Sequence, residues 1–578
     1  MVKRATDGPL LVYGPLSPTY DFGASHPLTP RRFGPGIDLL RAVGAEPRLV
    51  PEPARDDDLL LSHTAAYLAA VKRLSQEPSG PAEAGIGDGG DNPSFAGMHE
   101  AGAMVAGGSL RAVEAILRGD VDHAFHPGGG LHHAMPDHAS GFCIYDDPAL
   151  AIARARRDGL RVLYVDLDVH HGDGVEAIHE SDPGVLTVSF HESGRYLFPG
   201  TGRASDVGEG AAAGTVVNVP FEPYAGEDAW LAAVRRLVPA LAAAFAPDLV
   251  VSQHGADSHA WDPLAHLRVT TTAMAEAARL VDRVAHGSAG GRWLATGGGG
   301  YDAYRVVPRT WSLVWLAGAH RHAPVETPLA WRERWEAEAA RYGQAPLPET
   351  FSDVANAGLP RDGAQAAAES ASIAIADAVH ATVVPALLRA AERNGWWDPR
   401  DVPASSHEER RAGRSAISPS IVALTSDLLE RVSLAPRIAA VGDAAALRAL
   451  LGRALASDTP TQARAVAALA GDVVVGLAVA EAGHEATPSE ILALGVTPEH
   501  RRRGLGSALL AALVDAVPGP VQATVTLAER DPIEPLDRRL RASIARTMFE
   551  RARFDVTAAR SAASALDALA VAAVRPES

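Results

Sequence analysis

The folds open to this chain are limited most by a set of short, predominantly apolar runs. Residues 161–165 (RVLYV), 185–190 (VLTVSF), 247–252 (PDLVVS) and 293–296 are such runs, and alanine-rich, helix-length stretches at 101–117, 229–245 and 270–284 lie between them. A strand with one wet face alternates apolar and polar residues; these do not, so both of their faces must be covered. Their alternation with helical segments predicts an α/β architecture: a parallel sheet with helices on both faces. In open sheets of this kind ligands bind beyond the carboxyl ends of the strands, and polar, histidine-rich residues follow several of the runs directly.

At 578 residues the chain is too long for one ordinary core. The pattern is mostly helical from 331 to 397, and 401–418, with its prolines, serines and mixed charge, reads as a linker. Beyond it, 438–456 reads as a helix, 465–480 as two strands around Gly471 and Asp472, and 491–496 as a strand before a glycine-containing turn. The expected division is a first domain over 1–400 and a smaller α+β domain over 419–578. The balance of 53 basic against 70 acidic side chains, a net −17, argues against nucleic acid or an anionic membrane surface as ligand. Cys143 is the only cysteine, which excludes an internal disulfide and a cysteine-based zinc knot. With no apolar leader at the start and no uninterrupted run of about 18 apolar residues, the expected setting is the cytoplasm.

Chemistry concentrates first in VDLDVHHGDG at 165–174. Asp166, Asp168 and His170 stand two apart after an apolar run, so in an extended strand their side chains share one face. Asp257 ends PDLVVSQHGAD, and His132 and His133 are paired in HPGGGLHHA behind three glycines. A cation held by two carboxylates and one imidazole keeps positions open for water and a substrate carbonyl. Asp168, His170 and Asp257 are therefore the candidate ligands of a metal hydrolase.

These motifs carry a resemblance. GGLHHA, ASGFCIYDD, VDLDVHHGDGV, FPGTG, QHGAD and GGGGY stand in the order found in the arginase-like histone deacetylase superfamily. Over about residues 10–400 the chain is similar to the bacterial AcuC-type (acetoin utilisation) deacetylases, through DNPSFAGMHE at 91–100 and HGADSHAWDPLAHL at 254–267. The resemblance implies zinc, with iron as the alternative, on Asp168, His170 and Asp257. It implies His132 and His133 as the tandem pair, with His133 the general base on the attacking water and the general acid to the leaving amine. Asp166 and Asp173 would back these two rings, and Tyr301 would donate to the developing oxyanion. Gly141, Phe142 and Phe198 would line an acyl-lysine tunnel, and Asp91 would grip peptide backbone at its rim. A potassium site would draw on Asp166, Asp168, His170, Ser189 and Phe190. The implied substrate is acetyl-lysine on a protein, an acyl-CoA synthetase by analogy; an acetylpolyamine or other small acylamide shares every residue named and stays open, as does oligomerisation. Leu131, where many eukaryotic relatives have Trp, and His254, where many have Leu, are departures that would reshape substrate choice. Cys143 reads as a small buried residue and not as a nucleophile.

A second constellation is ILALGVTPEHRRRGLGSALL at 491–510. Glycines at a strand-to-helix turn expose successive N–H groups, and the helix N-terminus adds its positive end, making a phosphate cradle. The segment resembles the pyrophosphate-binding motif of GNAT N-acetyltransferases, with Arg501, Gly504 and Gly506 at the matching positions and Arg502, Arg503, Leu505 and Ser507 around them. Val496 ends the strand that would pair with the pantetheine arm, so the implied cofactor is acetyl-CoA. Phe549 stands where many members have the tyrosine general acid, and Arg553 replaces a usual glycine. Acetyl transfer and acetyl-CoA sensing are both open.

Overall fold

Eight strands make the sheet that the apolar runs call for: β1 (Leu10–Val12), β2 (Pro47–Leu49), β3 (His123–His126), β4 (Val162–Asp166), β5 (Val185–Glu192), β6 (Val216–Phe221), β7 (Leu249–Gln253) and β8 (Trp293–Thr296). Their order is β2-β1-β3-β8-β7-β4-β5-β6, and every neighbouring pair is parallel. This computed structural model describes residues 8–353 apart from 88 and 89, then 363–394 and 396, and beyond them 420–425, 428, 433–434, 451, 463–470, 473–481, 489–496, 505–517, 521–525, 555–560 and 569–575. The chain separates into two units, Met1–Asn394 and Gly395–Ser578.

Both faces of the first sheet are covered. Val162 and Tyr164 of β4, Leu249 and Val251 of β7 and Leu294 of β8 form one cluster with Val113 and Ile116 of helix Met98–Arg118 and Ile152 of helix Asp147–Arg157. The residues between them, Leu163, Val165, Val250 and Ala295, are equally buried and by strand alternation face the other layer. That layer is built from helices Glu227–Phe245, Thr271–Ser288 and Val307–Gly318. Each such Val or Leu contributes roughly 1.5–3 kcal/mol by leaving water, which is why the runs are predominantly apolar.

Helix ends follow local chemistry. Thr270 caps Thr271–Ser288 by accepting from Ala273 N, and Met98–Arg118 ends at Gly119 in the left-handed region, φ +75°. Helix Gly363–Arg393 packs on β6 and on Glu227–Phe245. Among the described residues it holds the one stretch, Gly363–Ala391, long and apolar enough to cross a membrane. Val379, Val383, Leu387, Ala390 and Ala391 form a buried stripe along it at helical spacing.

The structure corrects the strand reading at 165–170: β4 ends at Asp166, and Asp168 and His170 lie in the bend that follows. The Asp166 carboxylate accepts from Asp168 N (3.1 Å), turning the chain out of the sheet. A bend, and not strand alternation, brings the three side chains together.

The second unit holds β9 (Ser420–Ala423), β10 (Ser433–Leu434), β11 (Ala463–Ala470), β12 (Val473–Glu481), β13 (Ser489–Val496), β14 (Val521–Val525), β15 (Asp555–Arg560) and β16 (Leu569–Arg575). They are ordered β15-β16-β14-β13-β12-β11-β9, with β10 against β12. Helix Leu505–Ala516 is the crossover that the parallel pair β13/β14 requires. That pairing runs only from Ser489↔Val521 to Ile491↔Ala523, while β13 continues to Val496. The expected linker at 401–418, and all of the expected helix at 438–456 except Leu451, lie outside the described residues.

Candidate active site

The site lies where the central strands end. β3, β8, β7 and β4 are consecutive in the sheet, and beyond their carboxyl ends come His132 and His133, Tyr301, Asp257, and the pair Asp168 and His170, in that order. Four separate stretches of chain thus converge on one point, as strand-end sites in α/β sheets do.

Asp168, His170 and Asp257 are buried, and one ligand atom from each lies within 4.8 Å of the others. His170 Nδ1 is 3.1 Å from Asp168 Oδ1 and 3.3 Å from Asp257 Oδ2. Gln253 Nε2 (2.6 Å) and Gly299 N (2.8 Å) donate to Asp168 Oδ2, and Val169 N donates to Asp257 Oδ1 (3.0 Å), which aims both carboxylates. Asp257 Oδ2 is buried and has no hydrogen-bond donor, a costly state that a cation relieves. Burial and the charge of Asp168 push the Asp257 carboxyl up to about 6; a second positive charge between the two would reverse that strain. One imidazole and two carboxylates fit a divalent cation with positions to spare. Gly299 is required here, because a Cβ on it would collide with Asp257 Oδ2.

Beside this group the rings of His132 and His133 stand 4.0 Å apart. His132 Nδ1 bonds Asp166 Oδ2 (2.7 Å), which also accepts from the Tyr164 hydroxyl, and His133 Nδ1 bonds Asp173 Oδ1 (2.6 Å). Burial opposes charge on His132, but Asp166 and Asp168 outweigh it and push its pKa up to about 10. Burial, and then the charge on His132, pull His133 down to about 4. The two shifts run in opposite directions, favouring charge on His132 and a neutral His133. With Nδ1 donating to Asp173, the neutral ring carries its lone pair on Nε2.

Above lies a small, solvent-open cavity, lined by the histidine pair, Asp168, His170, Leu28, Leu131, Gly141, Phe142 and Tyr301 among others. Phe142 sits at φ +69°, a strained value for a bulky residue, and its carbonyl accepts from the buried Tyr20 hydroxyl (2.8 Å). Gly141, at φ +51°, lies so close to His133 and Phe198 that a Cβ would strike both. Phe198, 39% exposed, sets its edge 5.1 Å from the His133 ring. Tyr301 is fixed through its backbone: its N donates to Asp262 Oδ2 (2.9 Å) and its carbonyl accepts from Gln344 (3.0 Å), while its hydroxyl has no partner among the described residues. Asp91 is exposed, and its carbonyl meets His26 Nε2 (3.2 Å), whose ring packs 4.5 Å from Phe142; this links Asp91 to the cavity mouth.

Of the two departures, Leu131 lines the cavity, but His254 does not. His254 bonds Ser252 Oγ (2.8 Å) and packs against Trp293, so the expectation that it shapes substrate choice is set aside. Cys143 is buried with its thiol raised by burial, as a structural cysteine should be. Gln253, Asp262, Tyr20, His26 and the buried Arg32, which donates to Gly298 O (2.7 Å), hold the site together but were not singled out from sequence. Gln253 and Asp262 were readable, since they stand inside the motifs; residues 20–32 carry no such signal. Asp166 pairs in register with Ser189, which has Phe190 beside it on β5.

In the second unit, Val496 ends β13, and Leu505, Gly506 and Ser507 open the helix after it. Arg501, Arg502, Arg503, Gly504, Phe549 and Arg553 lie outside the described residues.

Residues 26–317 match the family model described as "Histone deacetylase domain", and residues 443–531 match "Acetyltransferase (GNAT) family". The chain is similar to the acetoin utilization protein AcuC of Bacillus subtilis (strain 168), 41% identical over 354 residues, which is 60% of this chain and 90% of that one. The AcuC protein of Staphylococcus aureus (strain MSSA476) is 37% identical over 355 residues, with the same coverage. Among solved structures, an HDAC homolog complexed with SAHA matches with a TM-score of 0.56 and 26% identity, and an HDAC homolog from Aquifex aeolicus with 0.54 and 25%. Each match covers 63% of this chain and 100% of the other.

Proposed function

The chain belongs to the histone deacetylase family, and from that premise we propose that its first unit hydrolyses the amide of Nε-acetyl-lysine on proteins, releasing acetate and the free amine. The observation that carries this reading is the buried Asp168, His170 and Asp257 group beside two histidines, each locked to a carboxylate. A divalent cation bound there, zinc first and iron as the alternative, supplies Lewis-acid polarisation of the acetyl carbonyl and acidifies water. His133, neutral and anchored through Nδ1 by Asp173, takes the proton of the attacking water at Nε2 and returns it to the lysine nitrogen as the C–N bond breaks. His132, kept charged by Asp166, adds positive potential as the oxyanion grows. The Tyr301 hydroxyl donates to that oxyanion from the other side. Phe142, Phe198 and Gly141 pass the four methylenes of the lysine and shut out water, and Asp91 accepts from substrate backbone at the mouth. A potassium ion on Asp166, Asp168, His170, Ser189 and Phe190 belongs to the same proposal.

For the second unit, whose family match is to GNAT acetyltransferases, the reading is acetyl-CoA binding along β13 and at residues 501–507, for transfer or for sensing. The setting is cytoplasmic, and an acyl-CoA synthetase is the first target class to try. The experiment is acetate release from an acetyl-lysine peptide and from an acetylpolyamine, by the parent and by Asp168→Ala. Peptide turnover that disappears in Asp168→Ala is the expected result. Turnover of the polyamine alone overturns the protein substrate, and turnover of neither overturns the deacetylase reading. Calorimetric titration with acetyl-CoA tests the second unit, and absence of heat with parent protein refutes binding there.

A further inference from the structure

At the other end of the sheet, three histidines and an aspartate come together that no motif connects. His123 opens β3 at its amino end, Asp282 and His286 stand one turn apart near the end of helix Thr271–Ser288, and His320 follows helix Val307–Gly318 with φ +54°. One ligand atom from each lies within 4.8 Å of all the others. Asp282 Oδ1 is 3.1 Å from His320 Nε2, 3.5 Å from His286 Nε2 and 3.7 Å from His123 Nε2, and the two nitrogens of His286 and His320 face each other at 3.1 Å.

Hydrogen bonds do not settle this group. His123 donates from Nδ1 to Gly318 O (2.9 Å), so its Nε2 carries the lone pair. That atom is buried, on a side chain only 7% exposed, and has no partner. A proton on His320 Nε2 can point squarely at Asp282 or at His286, not at both, and in either case no donor lies within hydrogen-bond distance of His123 Nε2. A cation at the common focus satisfies all four atoms at once. The carbonyl of Gly318 already supplies the outer hydrogen bond that orients metal-bound imidazoles.

We propose that His123, Asp282, His286 and His320 form a second metal site for a divalent transition-metal ion, zinc in the first instance. Three imidazole nitrogens and one carboxylate oxygen select the borderline metals high in the Irving–Williams order over magnesium or calcium. Four protein ligands complete a tetrahedron, the mark of a structural site with no position left for substrate. The ion would staple the amino end of β3 to two helices of the layer beside it, and His286 and His320, 45% and 55% exposed, give it a path in from solvent.

The test uses untagged full-length protein, stripped with a chelator and dialysed against zinc, with bound metal measured by emission spectrometry. Expected are two equivalents in the parent, one in Asp168→Ala, one in His286→Ala/His320→Ala and none in the triple variant. Cobalt added to Asp168→Ala should give the visible bands of a tetrahedral ion, and these should vanish when His286 and His320 are also replaced. Because those two are the exposed members of the group, their removal leaves the fold intact; His286→Gln/His320→Gln is the control for lost polarity. Metal in the parent that is undiminished in His286→Ala/His320→Ala, whether one equivalent or two, overturns the proposal.

Discussion

Replacing Tyr301 by phenylalanine removes one hydroxyl and leaves everything that holds the residue. Its backbone bonds to Asp262 and Gln344 and its edge-on packing 6.0 Å from Phe142 do not involve that oxygen. Because the hydroxyl has no partner among the described residues, the resting protein should change in stability by no more than about 0.5 kcal/mol. The oxyanion formed during amide hydrolysis, by contrast, loses a donor, which costs on the order of 2.7–4 kcal/mol, or about 10² to 10³ in kcat. KM should stay within roughly threefold, since the lost bond strengthens only as charge develops. The assay is steady-state acetate release from an acetyl-lysine peptide, with bound metal and thermal unfolding followed in parallel. A kcat within about tenfold of the parent at full metal content would refute the oxyanion role. A loss carried by KM alone would show that Tyr301 serves substrate binding instead.

Three other outcomes follow from the geometry. Asp353→Asn neutralises the residue that pairs with the fully buried Arg309 (2.7 Å) and that also bonds His259 (2.9 Å); the uncompensated guanidinium charge should cost about 3 kcal/mol and, for a unit spanning Met1–Asn394, lower Tm by roughly 3–5 °C, and an unchanged Tm contradicts it. Gly299→Ala drives a Cβ into Asp257 Oδ2, so it should lose metal at the catalytic group while keeping its circular dichroism, and a parental metal content sinks that expectation. Burial pulls His179 down to about 4 in the folded state, against about 6.5 unfolded. Between those values the unfolded chain takes up a proton that the folded one refuses, so stability is lost as pH falls below 6.5. Relative to His179→Gln the parent should lose on the order of 2 kcal/mol between pH 7 and pH 5. The check is the urea midpoint by tryptophan fluorescence, which reports the first unit because seven of the nine tryptophans precede residue 394. Parallel curves for the two proteins would refute the assignment.

What could be read from sequence divides along a physical line. Strands such as β8, expected at 293–296 and found as Trp293–Thr296, are legible because a strand buried on both faces is predominantly apolar along its length. The clustering of Asp168, His170 and Asp257 is legible because these residues follow such strands within a few positions. The bend after Asp166 was not, because it depends on one hydrogen bond from Asp168 N, and spacing by two fits a strand equally well. Tyr20, His26 and Arg32 reach the site from more than 100 residues before His132 or the glycines they support, and only folding in three dimensions puts them there. The four residues at the far end of the sheet are scattered from 123 to 320; the i, i+4 spacing of Asp282 and His286 was their single local trace.

The covering of β6 by helix Gly363–Arg393 has a consequence in time. A ribosome has released every side chain of the candidate site once Tyr301 has emerged, but the helix that closes the β6 side of the sheet ends 92 residues later. At 5–20 residues per second that delay is on the order of ten seconds. Through it the nascent chain carries the complete Asp168, His170 and Asp257 cluster on a sheet with a bare edge strand and an uncovered apolar flank, the kind of surface that pairs with neighbouring chains on the same message. The apolarity that gives Gly363–Ala391 the look of a membrane span is what ends that exposure when the helix arrives.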